Sequence, residues 1–333
     1  MSLAPLPWHG PQWQQLARTR EADRLPHALL LHGPAGVGKR AFAEVFAAAL
    51  LCQRPTAAHA ACGECRGCRL FLAGSHPDTL RVQAEAPGKP IKVDQVRALC
   101  AFLDRTTEFG GAKVVRLEAA ERMNTNAANS LLKTLEEPTP GSVLLLISTH
   151  PTRLPATVRS RCQQLAFQRP DSATALPWLE AQLADAGDPA LLLQLAQNAP
   201  LAALALADPA RLQRRRKLFQ SFCQLVVGQS GALDDAALWQ EGEVAENLGW
   251  LLDWHMDLIR LKMAPEPAGL QNPDLLEGLQ GLAARLPTGV LFTQLEAVAS
   301  LHALAATPAN MSLQIEAFLA QYPLAGRRRT SGG

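Results

Sequence analysis

The stretch Ala28-Leu29-Leu30-Leu31-His32-Gly33-Pro34-Ala35-Gly36-Val37-Gly38-Lys39 passes from four consecutive apolar residues, through three glycines, to a lysine that opens a helical pattern. A short apolar run bounded by glycine reads as a strand buried on both faces. Glycines between a strand and a helix let successive backbone N–H groups turn toward one point. The helix N-terminus adds the positive end of its dipole, and Lys39 can reach terminal phosphates. Gly33, Gly36, Gly38 and Lys39 in this spacing and context therefore predict a phosphate-binding loop.

Outward from that loop the same alternation continues. Thr79-Leu80-Arg81-Val82, Lys113-Val114-Val115-Arg116-Leu117 and Val143-Leu144-Leu145-Leu146-Ile147 read as buried strands, with Gln164-Leu165-Ala166-Phe167 a shorter fifth. Helical patterns cover 39–51, 93–104, 126–135 and 155–159. The fold class expected is an α/β P-loop domain with a parallel five-stranded sheet and helices on both faces. After Arg169-Pro170 the strand signal stops, and Ala, Leu and Gln recur at helical spacing between Gly or Pro breaks. The expected domains are a nucleotide-binding-like domain over 1–169, a small helical unit over 170–207, a larger all-helical domain over 208–326 and a tail at 327–333.

The loop departs from an ATP-hydrolysing site in two places. Arg40 stands where a Ser or Thr hydroxyl would ligate magnesium. At the end of the third strand Glu118 falls at the metal-binding position, and it reads equally well as a surface carboxylate. Ala119 replaces the glutamate that would polarise the attacking water. Glu121 is close in sequence but is expected on a following helix, pointing elsewhere. Arg161, in Ser160-Arg161-Cys162, is expected on the far flank of the sheet from the loop. In ring ATPases an arginine so placed projects into the neighbouring subunit's site and stabilises transition-state charge there.

Cys52, Cys62, Cys65 and Cys68, with gaps of nine, two and two residues, lie between the first helix and the second strand. CxxCxxC can wrap three thiolates onto Zn²⁺ and Cys52 supplies a fourth, which makes a closed, structural site over 52–68. Iron–sulfur ligation would want a longer downstream cysteine pattern. Cys100, Cys162 and Cys223 read as packing residues. With 32 basic and 30 acidic residues the net charge is +2, so no global field draws the chain to nucleic acid or anionic lipid. No apolar stretch approaches the roughly 20 residues that span a bilayer, and no leader pattern is present, so a soluble, cytoplasmic protein with no membrane contact is expected.

The GxxGxGK loop, the four-cysteine insert, Leu131-Leu132-Lys133-Thr134-Leu135-Glu136-Glu137-Pro138 and Ser160-Arg161-Cys162 together resemble bacterial DNA polymerase III clamp-loader subunits of the AAA+ class. That family contains hydrolysing gamma/tau subunits and delta-prime subunits with a degenerate nucleotide site. Arg40, Ala119 and Leu201, where a motor subunit would carry a sensor arginine, make the chain similar to the second kind. Thr149 matches the sensor-one position. The stretches Gly74-Ser75-His76-Pro77-Asp78, Gly110-Gly111-Ala112-Lys113-Val114-Val115 and Trp254-His255-Met256-Asp257-Leu258 add to the likeness.

The resemblance implies a helical lid over 170–207 and a collar over 208–326 that assembles with delta and three gamma/tau subunits. It also implies a stator that does not hydrolyse ATP in isolation, within a nucleotidyltransferase holoenzyme that loads a sliding clamp onto primer-template DNA. Arg161 would serve the adjacent site in trans, and ATP or ADP could occupy the degenerate site of Gly33, Gly36, Gly38, Lys39, Glu118 and Thr149 without turnover. Two other readings compete. A gamma/tau-like motor would need the missing hydroxyl and acid. A zinc-containing DNA-binding protein would use Arg211, Arg214, Arg215, Arg216 and Lys217 as its basic patch.

Overall fold

The computed structural model describes residues 3–86, 89–183, 187–230, 232–264, 267, 269–305 and 311–320. The expected tail at 327–333 lies outside the described residues. Five strands, β1 (Ala28–His32), β2 (Thr79–Val82), β3 (Lys113–Leu117), β4 (Ser142–Ser148) and β5 (Gln163–Ala166), form one sheet in the order β2-β3-β4-β1-β5. Every pairing is parallel, with Leu30 opposite both Leu146 and Gln164, and Val115 opposite Leu144.

The unbroken apolar runs follow from burial on two faces. Leu29, Leu31, Val114, Val143, Leu145 and Ile147 pack on α1 (Gly10–Glu21), α2 (Lys39–Leu51) and α3 (Arg66–Leu72). Ala28, Leu30, Val115, Leu117, Leu144 and Leu146 pack on the other side. There they meet α4 (Val93–Leu103), α5 (Thr125–Glu136) and the short α6 (Ala156–Arg159). The helix α5 begins where the Asn124 side chain accepts from Ala127 N at 2.8 Å and ends just before Pro138. Leu131 and Leu135 anchor it in the core.

Two of the family-like strings meet in space. Asp78, fully buried, accepts from the N–H groups of Glu108 and Phe109 at 2.9 and 3.0 Å and faces Lys113 Nζ at 3.7 Å. The carboxylate thereby closes the loop that carries Gly110 and Gly111 onto the start of β3.

Helices continue with α7 (Ser172–Leu183), α8 (Pro189–Leu195), α9 (Pro200–Leu206), α10 (Pro209–Val227), α11 (Ala232–Gln240), α12 (Val244–Met263), α13 (Leu276–Arg285), α14 (Thr288–Leu304) and α15 (Met311–Ala320). Two compact units result, one of Met1–Gln182 with Asn198–Ala202, the other of Leu183–Gln197 with Ala203–Gly333. Residues 170–207, read in the sequence as one helical unit, are shared between them. The second unit centres on Trp254 of α12, stacked on Phe222 at 5.9 Å and edge-on to Phe219 at 5.1 Å and Trp239 at 6.4 Å. Among the described residues no single helix is long and apolar enough to cross a membrane.

Candidate functional site

Strand order decides what can meet. Parallel strands bring the segments that follow β1, β3 and β4 to one carboxyl edge, where open α/β sheets bind ligands. The glycine loop, Glu118 and Thr149 all lie there.

The loop has the conformation that its glycines permit: φ is 145° at Gly33, 74° at Gly36 and 92° at Gly38. A Cβ on Gly33 would lie 2.1 Å from the Phe167 carbonyl oxygen, and one on Gly38 would lie 2.7 Å from Leu6 and 2.9 Å from His9. Glycine is therefore required by close approach as well as by φ. A segment that sequence reasoning passed over causes the second approach. Trp8 Nε1 donates to the Val37 carbonyl at 2.9 Å, and His9 Nε2 reaches the same oxygen at 2.9 Å. The carbonyl can only accept, so Nε2 carries the proton; burial pushes the fully enclosed His9 down to about 4, against the pull of that carbonyl. No periodicity marks Pro7-Trp8-His9, which explains why the sequence did not single it out. From the other side Leu201 N donates to Gly36 O at 3.0 Å. Leu201 thus stands at the loop, where it offers a backbone amide and an apolar side chain.

Lys39 is 5% exposed and donates to the carbonyls of Gly33 and Pro34 at 2.7 and 2.5 Å. Burial brings its ammonium down to about 8, opposed by the nearby Glu121 carboxylate. Glu121 corrects the expectation that it points elsewhere. The segment after β3 is a tight 3-10 turn at Ala120–Arg122, entered through Ala119 at φ 50°, and this turns the carboxylate inward. Its Oε1 accepts from Thr149 Oγ1 at 2.6 Å and from Thr149 N at 3.1 Å. Burial alone would raise the Glu121 pKa; the Thr149 hydroxyl and neighbouring donors outweigh it and hold the carboxyl below its ordinary value.

Arg40 and Glu118 meet directly. Arg40 Nε lies 3.1 Å and Arg81 Nε 2.7 Å from Glu118 Oε1, while Arg81 Nη2 donates to Oε2 at 3.1 Å. The contacts to Oε1 are charge contacts without hydrogen-bond alignment. The Glu118 carboxylate is thus met by two guanidinium groups, one from the residue that follows Lys39 and one from β2.

Arg161 also requires a correction. Its strand, β5, is not across the sheet from the loop but beside β1. The separation runs along the strands: Arg161 precedes β5 at the amino edge, and the loop follows β1 at the carboxyl edge. Gln163 to Phe167 alone spans about 13 Å at ~3.3 Å per residue. Arg161 is 36% exposed, accepted by Thr157 O at 2.9 Å and paired with Glu136 Oε1 at 2.5 Å.

The four cysteines come together as expected. Cys52 caps the end of α2, and Cys65 caps the start of α3, its sulfur accepting from Cys68 N at 3.4 Å. The Cys52–Cys65 and Cys62–Cys68 sulfurs are each 3.9 Å apart, and all four lie within 4.8 Å of one another. A tetrahedron with Zn–S bonds of ~2.3 Å has edges of about 3.8 Å, so the cluster fits a metal ion such as zinc. Two further N–H groups, from Cys62 and Cys65, point at the sulfurs of Cys52 and Cys62. Burial opposes the Cys65 thiolate, yet the N–H groups of Cys68 and Gln53 bring that thiol to about 6. In contrast, burial pushes the isolated Cys162 up to about 12 and Cys223 to about 11.

In the helical unit the basic run is largely spent internally. Arg211 and Arg214 both pair with Glu246, and Arg214 lies over the Trp250 ring. Arg215, 1% exposed, grips Asp274 at 2.7 and 3.1 Å and Asn272 at 2.6 Å. Only Arg216 and Lys217 of the five are exposed.

A parallel sheet with a glycine-rich loop after β1, a four-cysteine insert and an all-helical C-terminal part defines the class as AAA+ clamp-loader-like. The family described as "DNA polymerase III, delta subunit" matches residues 8–171, and its C-terminal counterpart matches 209–322. The DNA polymerase III subunit delta' of Pseudomonas aeruginosa is 44% identical over 279 residues, 83% of this chain and 84% of that one. Its counterpart in Escherichia coli is 36% identical over 88% of this chain and 85% of that one. The tau/gamma subunit of Haemophilus influenzae is 32% identical over 66% of this chain and 32% of its own length. The chain belongs to the DNA polymerase III delta-prime subunit family of clamp-loader proteins, which is related to the gamma/tau subunits.

Proposed function

We propose that the chain is the non-hydrolysing member of a polymerase III clamp loader, lending Arg161 to a neighbouring gamma/tau ATP site. The observation that carries this is the Arg40–Glu118–Arg81 cluster. A guanidinium from the hydroxyl position occupies the carboxylate that would hold magnesium, and Ala119 supplies no base. The same chain keeps an arginine 36% exposed at the opposite sheet edge, where it is free of its own phosphate loop. ATP or ADP can be held by the loop glycines and Lys39 in a structural role, provided that Lys39 exchanges its two carbonyl partners for phosphate.

The partners on this reading are delta and gamma/tau subunits in a heteropentamer, with the sliding clamp and primer-template DNA engaged through the assembly. Residues 208–326 serve as the collar and 170–207 as the lid. The cysteine cluster would hold structural zinc: four thiolates leave no position open for substrate. The DNA-binding reading loses support because three of its five basic residues are paired within the fold.

The test is hydrolysis by the chain alone, and single-turnover hydrolysis by the reconstituted assembly with clamp and primed DNA, with and without Arg161→Ala. The chain alone should be inert. Arg161→Ala should remove the fast phase belonging to the adjacent site while the complex still forms. Turnover by the chain alone, or no effect of Arg161→Ala, would overturn the reading.

A further inference from the structure

Arg161 is not a loose surface arginine. Its guanidinium is contacted from two directions, by Thr157 O one turn back and by Glu136 of α5. Glu136 is the last residue of α5, whose Leu131 and Leu135 are 0% and 3% exposed in the core, and the helix stops immediately afterwards at Pro138. The Leu131–Pro138 string thus brings a carboxylate, on a rigid element, to the amino edge of the sheet beside an arginine that emerges from a four-residue helix. A long side chain with several rotors reaches a partner efficiently only if the projecting rotamer is already populated.

We infer that Glu136 is a positioning residue for Arg161: its carboxylate, 2.5 Å from Nη2, preselects the rotamer in which the guanidinium faces outward from the subunit edge. The inference rests on the in-trans reading of Arg161 above. An exposed pair of this kind contributes little to stability, so its loss should register in the neighbour's chemistry and not in the fold. Glu136 does not touch the neighbour's nucleotide. It acts by lowering the ordering that Arg161 must undergo when the adjacent site closes.

The experiment uses the whole reconstituted assembly with clamp and primed DNA, carrying the parent chain, Glu136→Ala, Glu136→Gln, Arg161→Ala or the Glu136→Ala/Arg161→Ala double variant. Single-turnover hydrolysis at the adjacent site and its ATP dependence are read together with the melting temperature of the variant chain. Glu136→Ala should slow the fast phase about fivefold, the most that an exposed pair can supply, with unchanged half-saturating ATP and unchanged melting, and Glu136→Gln should slow it less. In the Arg161→Ala background Glu136→Ala should add nothing. A rate within twofold of the parent for Glu136→Ala, a faster rate, or an equal slowing in the Arg161→Ala background would each overturn the inference. If Arg161→Ala itself has no effect, it is the in-trans reading that fails. Should Glu136→Ala prevent assembly, Glu136→Gln decides by the same criteria.

Discussion

The two edges of one sheet treat their charges in opposite ways. At the carboxyl edge three charged groups are matched from within: Lys39 to two loop carbonyls, Glu118 to Arg40 and Arg81, and Glu121 to Thr149. At the amino edge Arg161 is held by Glu136 and Thr157 but remains 36% exposed. One edge has turned its charges inward and the other presents one outward. Parallel strands separate the two groups of charges by the full length of β1 and β5, so that either edge can be altered without the other.

The sharpest way to break that contrast is to remove the central cation from each edge. In the reconstituted assembly Arg161→Ala should slow the adjacent site by about 10³–10⁵-fold, the range for arginine fingers. Lys39→Ala should leave the same phase within about twofold. A large effect of Lys39→Ala would show that the inward-turned edge is still a working site. Next in size is the metal. The helix α2 runs back from the loop for 13 residues, about 20 Å at ~1.5 Å each, to Cys52. Metal analysis should find one zinc per chain. Chelation or Cys65→Ser should cost on the order of 4 kcal/mol, a fall of roughly 10 °C in Tm, because metal affinity is folding free energy in such a site. An unchanged Tm would detach the cluster from the stability of either edge.

The sheet was legible because strands buried on two faces carry unbroken apolar runs, and β2 and β3 occupy the expected residues. The cysteine cluster and the glycine loop were legible because their spacing is itself their geometry. What escaped depends on tertiary placement. Trp8 and His9 lie on no periodic element, yet they reach Val37 across 29 and 28 residues. Glu121 was misplaced because a helix was expected where a 3-10 turn follows the left-handed Ala119. Arg161 was set on the wrong flank because strand order cannot be read from strand sequence: β5 returns to pair with β1. The basic run of α10 supplied a patch only to the competing DNA-binding reading, and its ion pairs were not legible because Glu246 and Asp274 are distant in sequence.

Stability offers a third contrast. The Glu121 pKa is depressed in the fold, so its contribution is present above the ordinary glutamate value and is lost as pH falls through the folded value. Glu121→Gln should therefore cost about 1–2 kcal/mol at pH 7, as expected for weakening a buried charge-assisted bond. It should also flatten the acid limb of the stability curve measured by urea melts. Glu136→Gln, at a half-exposed site, should stay within about 0.5 kcal/mol at pH 7. Equal costs would mean that the two edges are not differently buried in energetic terms.

The smallest expected effect asks whether Arg40 truly stands in for a cation. In the parent chain the Arg40 and Arg81 guanidinium groups already balance Glu118, so magnesium gains no ligand there and ADP binding should be the same in magnesium and in EDTA. Arg40→Ser restores the hydroxyl and frees one side of the carboxylate, leaving only Arg81 on it. Magnesium should then tighten ADP binding by about tenfold, close to 1.4 kcal/mol, in a titration read by calorimetry. Hydrolysis should remain absent. Ala119 supplies no base, and at φ 50° its own Cβ already bears the left-handed cost of roughly 1 kcal/mol. If Arg40→Ser gains nothing from magnesium, the Arg40–Glu118 pair is an ordinary surface contact and Ala119 alone accounts for the missing chemistry. If neither protein binds ADP, the Trp8–His9 strap and the Lys39 carbonyl contacts have closed the loop altogether, and the carboxyl edge is a scaffold rather than a silent nucleotide site.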